Sequence, residues 1–319
     1  MKIYLKSLFT EHWKYMAVST ACKMNLFEHL QEPKTAAELA EICKLNEVKL
    51  TLLLQALHSI SFLEKRKDNT FKINRISEFL TENHPDSLKY ACMNWAEEHL
   101  AAWQLLEYSI QTGKSAFEKV YGKPYFEYLN EHPEKLHAYH QAMYEYARDD
   151  YQNLPKIIDF TKFSTLMDIG GGYGALLEIV QNACPTLKCI LFDLPQVIKN
   201  VNIPNIQKIS GNFFDAIPQV ADAIILARIL HDWNNQQASI ILKNCFEALP
   251  DKGTLFIIEN CTDKTSEDLS LLSLNMTVMC ESFERSSTEY IELATNAGFQ
   301  FKKYRKLNDL QAVLKFQKI

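Results

Sequence analysis

The sequence predicts an α/β fold, a doubly wound sheet preceded by a mostly helical N-terminal domain, and three observations predict it. First, in the stretch Ser164–Leu176, STLMDIGGGYGAL, an apolar run is closed by Gly170, Gly171 and Gly172 and followed by a helical pattern, which reads as strand, glycine turn, helix. Second, short apolar runs and helical patterns keep alternating downstream of it, as they do when crossover helices connect parallel strands. Third, three helical segments and a hairpin stand upstream, the order of a winged helix. A chain of 319 residues is long for one core, and 47% hydrophobic residues with only 9 Gly and 10 Pro indicate a globular, helix-rich protein of two domains.

Taken in order, Glu11–Leu30 reads as one helix, with Met16, Ala17, Thr20, Ala21, Met24, Leu26, Phe27 and Leu30 recurring at three and four, and Pro33 ends it. Thr35 and Glu38 form a T-x-x-E capping box for a short helix over Ala36–Cys43. Asn46 caps the next helix, where Leu50, Leu53, Leu54 and Leu57 share a face. Phe62–Lys65 and Phe71–Ile73 flank Asp68-Asn69 and read as a hairpin. From Pro85 to Asp150 the pattern is almost all helical and crowded with aromatic residues, among them Trp95, Trp103, Tyr125, Phe126, Tyr139 and Tyr144. Aromatic stripes at helical spacing usually form core; some of these can instead wall a pocket for a flat ligand, and Met143 fits either role. The domain boundary is expected at 150–163. Beyond the central strand, runs ending at Asp193, at Ser210, at Leu226 and at Glu259 read as strands, Gln236–Leu249, Asp268–Met279 and Thr288–Ala297 as helices, the last capped by Ser286 and Glu289, and Phe299–Arg305 with Gln311–Gln317 as a closing strand pair.

Composition excludes several classes of function. No apolar run reaches the roughly 18 residues of a membrane span, and MKIYLKSLFTEHWKYM lacks a signal-peptide core, so a soluble, cytoplasmic protein without membrane contact is expected. Eight cysteines without C-x-x-C spacing read as reduced thiols rather than a zinc site or disulfide framework. A formal charge of −5 argues against a polyanionic partner. The winged helix raises a DNA-binding reading, yet Ala36–Ile60 holds only Lys44 and Lys49 against Glu38, Glu41 and Glu47, and no arginine. Lys65, Arg66 and Lys67 sit at the hairpin, where a charge run is usually a solvated tip. Dimerisation fits the apolar first helix better, and no nucleic-acid partner is expected.

The glycine turn lets a ligand lie against bare main chain at a helix N-terminus. Gly170, Gly172 and Ala175 also satisfy the loose G-x-G-x-x-[GA] dinucleotide pattern. Asp168 separates the two readings: an anion at the strand end repels a pyrophosphate, whereas S-adenosylmethionine, with its amino group and sulfonium, is attracted. Asp193, nineteen residues past Gly174, stands where a carboxylate accepts ribose hydroxyls. Strand-end capping is the plain alternative for both acids.

Asp168, Asp193, His231 and Glu259 all fall at carboxyl ends of strands, where ligands of such sheets bind. Methyl transfer from a sulfonium needs an acceptor oxygen stripped of its proton and held in line. A neutral imidazole at His231, with a pKa near the ordinary value of about 6.5, can take a phenolic proton, and either Glu259 or Glu284 can hold its tautomer. A lone loop histidine is also often just a satisfied polar residue; the neighbouring Asp232 and Trp233 and the two carboxylates favour the catalytic reading.

The motifs Asp168-Ile-Gly-Gly-Gly-Tyr-Gly174, Phe192-Asp-Leu-Pro195, Gly211-Asn-Phe-Phe214, Leu230-His-Asp-Trp233 and Glu284-Arg285 with Glu289, in this order over nearly the whole chain, resemble the S-adenosylmethionine-dependent O-methyltransferases of the plant caffeate and bacterial polyketide type, which include acetylserotonin and hydroxyneurosporene methyltransferases. The resemblance implies a Rossmann-like class I methyltransferase sheet and three segments: 1–84 a winged-helix dimerisation domain, 85–155 a helical linker contributing to the acceptor pocket, and 156–319 the cofactor-binding catalytic domain. It implies a homodimer that methylates a hydroxyl of a small aromatic or polyketide-like metabolite of secondary metabolism, releasing S-adenosylhomocysteine. His231 is then the general base with Glu259 and Glu284 beside it. Asp168, Gly170, Gly172, Asp193, Leu194, Asn212, Phe213, Arg228 and Trp233 are the cofactor set, and Met143, Trp103, Tyr139, Asp232, Met276 and Met279 the acceptor set. No metal is implied.

The family pattern is departed from in three places, four residues in all. Asn212 replaces the usual aspartate that bonds the adenine amino group, although an amide oxygen still accepts that bond. Ala227 replaces a frequent lysine, and Ser282 and Phe283 replace a glycine pair, which reshapes the acceptor rim. Methylation at carbon or nitrogen, other chemistry on the same fold, and a winged-helix regulator remain as alternatives.

Overall fold

The computed structural model describes residues 2–319, which form two compact units. The first holds the chain up to Leu100 together with Gln141–Tyr146; the second holds Ala101–His140 and Ala147–Ile319. The residues of the stretch 85–155 are divided between the two units. No helix among the described residues is long and apolar enough to cross a membrane.

In the first unit the capping chemistry acts as the sequence dictates. Glu38 N donates to Thr35 Oγ1 at 3.2 Å while Thr35 N donates to Glu38 Oε2 at 2.7 Å, opening the helix Ala36–Cys43. Asn46 Oδ1 accepts from Lys49 N at 3.0 Å and opens Glu47–Ser59. The hairpin is the antiparallel pair β1 (Leu63–Lys65) and β2 (Phe71–Ile73). The expected helix over Glu11–Leu30 is broken: Glu11–Lys23 stops, Asn25 takes a left-handed φ of 54°, and Leu26–His29 starts again. Asparagine tolerates that conformation, and the bend turns Leu26 and Phe27 into the core, where both are fully buried with Leu30, Leu39, Leu54 and Leu57. A helix over Lys2–Leu8, not foreseen in the sequence, precedes these.

The second unit is built on seven strands: β3 (Thr165–Ile169), β4 (Lys188–Asp193), β5 (Gln207–Ser210), β6 (Ala223–Ala227), β7 (Thr254–Asn260), β8 (Phe299–Lys306) and β9 (Gln311–Lys318). Their order is β5-β4-β3-β6-β7-β9-β8. β3 to β7 are parallel, while β9 runs antiparallel to both β7 and β8, so the sheet is mixed rather than parallel throughout. A hairpin return needs only a short connection, and Leu307–Leu310 supplies it. β3, β4, β6 and β7 are buried almost end to end, as expected of strands covered on both faces. The chain winds outward from β3 through β4 to β5, then returns to lay β6 on the other side of β3. That reversal opens the crevice beyond the carboxyl ends of β3 and β6.

Candidate active site

At the end of β3 the glycine turn leaves the sheet. Gly170 and Gly172 take φ of +71° and +57°, and a Cβ on Gly170 would stand 2.5 Å from Ile229 Cδ1 and 3.5 Å from the Phe213 ring, so only glycine lets the turn close there. Asp193, ending β4, accepts from Gly172 N at 2.8 Å through Oδ2 and from Leu194 N at 2.7 Å through Oδ1. Asp168 is buried and its Oδ1 meets no hydrogen-bond donor among the described residues. Burial, with the charge of Asp193 adding to it, pushes the Asp168 carboxyl up to about 7; burial takes Asp193 to about 6 against the pull of its two backbone N–H groups. Asn212 Oδ1 accepts from Phe214 N at 3.0 Å in a local turn.

His231 sits in the turn Leu230–Asp232 that follows β6. Its Nδ1 lies 2.8 Å from Glu284 Oε1, which also accepts from Asn260 Nδ2 at 3.2 Å, and its Nε2 faces Asp232 Oδ1 at 3.6 Å. Burial alone would lower this imidazole; Glu284 and Asp232 outweigh it and lift the group to about 9. The expectation of an imidazole near its ordinary value is corrected by that carboxylate pair. Glu284 responds in the opposite sense: burial raises it, but the imidazole and Arg228 bring it below the usual carboxylate range.

Of the two glutamates that the sequence left open, Glu284 is the one that reaches the imidazole. Glu259 Oε1 accepts instead from Ile229 N at 2.9 Å and Leu230 N at 2.7 Å, so it fixes the main chain just ahead of His231. Burial pushes Glu259 up to about 7. The three side chains present donor atoms within 4.8 Å of one another. Arg228 follows β6 with φ of 56°, its N donating to Ile258 O at 2.9 Å and its Nη1 lying 3.9 Å from Asp150 Oδ2.

Arg285 is a residue whose role the sequence did not disclose. Fully buried, it donates from Nη1 to Leu230 O at 2.8 Å, from Nη2 to Trp233 O at 2.7 Å and from Nε to Asn235 Oδ1 at 3.0 Å, clamping both ends of the His231 turn. Ser282 adds a bond from Oγ to Trp233 O at 3.0 Å, an anchor that a glycine there would lack. The available signal was a single arginine beside Glu284 in a segment of hydroxyls; burial of a guanidinium is not written in such a pattern.

The aromatic candidates separate. Trp233 stacks on Phe126 at 5.5 Å and meets Phe214 edge-on at 4.7 Å and Phe213 at 5.8 Å. Tyr139 packs edge-on against Tyr125 at 5.6 Å, and burial together with Asp232 holds its hydroxyl far above the ordinary phenol range. Trp103 donates from Nε1 to Asn275 Oδ1 at 2.8 Å, on the helix Glu267–Cys280 that carries the buried Met276 and Met279. Met143 lies in the first unit.

These residues fit S-adenosylmethionine. A buried carboxylate with an unpartnered oxygen suits an ammonium group, and Asp193, with one N–H on each oxygen, keeps lone pairs for two hydroxyls. The open sheet with its switch point is the class I methyltransferase fold, and the family the chain belongs to uses S-adenosylmethionine. Within that class the chain belongs to the O-methyltransferase family, whose O-methyltransferase domain matches residues 103–300 and whose dimerisation domain matches residues 6–83. The chain is 30% identical over 306 residues to the phenazine O-methyltransferase PhzM of Lysobacter antibioticus, covering 92% of this chain and 90% of that protein. Among solved structures it is similar to LaPhzM, with a TM-score of 0.95 and 29% identity over 100% of this chain and 99% of the other. Human N-acetylserotonin methyltransferase in complex with S-adenosylmethionine superposes with a TM-score of 0.90 and 25% identity, covering 99% and 97%.

Proposed function

We propose that this methyltransferase acts on a hydroxyl of a flat aromatic or polyketide-like metabolite, with His231 as the group that takes the hydroxyl proton, and that two chains pair through residues 1–84. The contact of 2.8 Å between His231 Nδ1 and Glu284 Oε1 carries the reading. It fixes a proton on Nδ1, so that the neutral ring keeps a lone pair on Nε2 for the acceptor. Glu259 and Arg285 hold the main chain on either side of the imidazole. The cofactor supplies a methyl group on a sulfonium, which needs no further activation. Asp168 and Asp193, with the glycine turn and Leu194, hold its polar parts, while Phe213 and Trp233 offer apolar faces to the base and Asn212 and Arg228 complete the set. Trp103, Tyr139, Asp232, Met276 and Met279 wall the acceptor. Phenazine and N-acetylserotonin, named for two of the relatives, are both flat aromatic compounds, which supports this acceptor class.

His231→Ala tests the proposal. Turnover is expected to fall roughly a hundredfold or more while S-adenosylhomocysteine affinity, measured by calorimetry, stays within about twofold. Undiminished turnover would reassign the acceptor to an amine or an activated carbon that needs no base. Because His231, Glu259 and Glu284 present donor atoms within 4.8 Å, chelation is the companion control. Turnover unchanged by a chelator keeps His231 as proton acceptor, and turnover lost and restored by a divalent cation would make the three a metal site.

A further inference from the structure

His140 does not stand out in the sequence, yet the helix Pro133–Tyr151 brings it against the glycine turn. A Cβ on Gly172 would meet His140 Nδ1 at 3.1 Å and Cε1 at 3.8 Å, so the imidazole lies on main chain that carries no side chain to hold it off. Gly172 N is the same group that donates to Asp193 Oδ2 at 2.8 Å, which makes His140, the turn and the strand-end acid contiguous. The ring also packs on Tyr173, the buried residue inside the turn, at 5.1 Å and on Tyr139 at 5.2 Å, while the Tyr173 hydroxyl lies 3.1 Å from His137 Nδ1. Burial, with His137 adding to it, drives His140 down to about 4, so it carries one N–H and no charge at neutral pH. The side chain is half-buried, and an apolar one would pack here without the cost of desolvating an imidazole.

The ligand accounts for the choice. The amino-acid end of S-adenosylmethionine carries an ammonium and a carboxylate. Asp168 and Asp193 suit the ammonium and the ribose hydroxyls, but both repel a carboxylate, which needs a donor at the same turn. We propose that His140 is a binding residue for the cofactor carboxylate, donating an imidazole N–H to it beside Gly172. This rests on the cofactor assignment above and adds a residue to it.

Calorimetry with two ligands tests it. S-adenosylhomocysteine has the amino-acid end; 5′-methylthioadenosine keeps the nucleoside and the thioether and lacks that end. In His140→Ala the first ligand is expected to weaken about tenfold and the second to change less than twofold, with His140→Gln, which retains an N–H donor, recovering most of the loss. His140→Phe keeps a packed ring without a donor and gives the same comparison should the alanine variant fail to fold. Equal weakening of both ligands would make His140 a packing residue, and no weakening of either would make it irrelevant; each overturns the proposal. Failure of the unsubstituted chain to bind S-adenosylhomocysteine would refute the cofactor site as a whole and this residue's part with it.

Discussion

With His231 as the proposed proton acceptor, the carboxylates around it set a pH limit. An imidazole at about 6.5 is mostly neutral at pH 7, but one lifted to about 9 is neutral in roughly one molecule per hundred there. The kcat/KM of the free enzyme is therefore expected to rise about tenfold per pH unit and to level near the value of His231. Glu284→Gln removes the carboxylate that raises it most, so the acid limb moves to lower pH while the plateau falls through lost orientation. A limb that stays in place in the variant would assign it to the acceptor instead. The stability linkage has a definite sign: a folded-state pKa above the unfolded one contributes stability that is complete below about 6.5 and is lost as pH rises through about 9. At this scale the sequence disclosed which residue types stand at strand ends, including Asp168, Asp193, His231 and Glu259. It did not disclose where their side chains turn. Glu259 and Glu284 looked equivalent until the fold directed one to backbone N–H groups and the other to Nδ1.

Among elements, the ones held by local bonds were legible and the ones set by distant pairing were not. The two capping boxes and the Asn46 cap are contacts three residues apart, so spacing alone finds them. Strand ends fall within a residue or two of where the strand-like runs of the sequence stop. The antiparallel direction of β9, by contrast, depends on its pairing with β7 some fifty residues back, as in Glu259 opposite Ala312. The break at Asn25 depends on the core that Leu26 and Phe27 reach. The turn Leu230–Asp232 belongs to the second kind: one helical turn has no intrinsic stability, and Arg285 holds both its ends. Arg285→Lys is expected to keep the fold but leave at least one buried carbonyl unpaired, at about 1–3 kcal/mol. For a domain of this size that lowers the melting temperature by several degrees, about 2–4 °C per kcal/mol. Turnover should fall more than S-adenosylhomocysteine affinity, because the clamp serves the His231 turn. Unchanged melting and turnover would show the clamp to be dispensable.

For the whole molecule, the switch in pattern near the glycine strand puts the expected boundary at 150–163, whereas Ala101–His140 already belongs to the second unit, because helical periodicity does not say which core a helix joins. The pairing of chains is the property of largest scale. Ile3, Tyr4, Phe9 and Trp13 are 85%, 67%, 67% and 64% exposed in the single chain, the last two within residues 6–83, where the dimerisation domain matches. Soluble monomers rarely leave such a run of large apolar side chains in water, and covering it supplies about 25 cal/mol per Å² of apolar area removed. Sedimentation equilibrium at micromolar concentration is therefore expected to return the mass of two chains. Phe9→Glu with Trp13→Glu buries charge in the contact and should shift the mass toward one chain. S-adenosylhomocysteine affinity should stay within about twofold in that variant, since Asp168, Asp193 and the glycine turn all lie in the second unit, with Asp193 bonded to the turn there. A single-chain mass for the unsubstituted protein, or an unaltered pair in the double variant, would remove this face as the pairing surface.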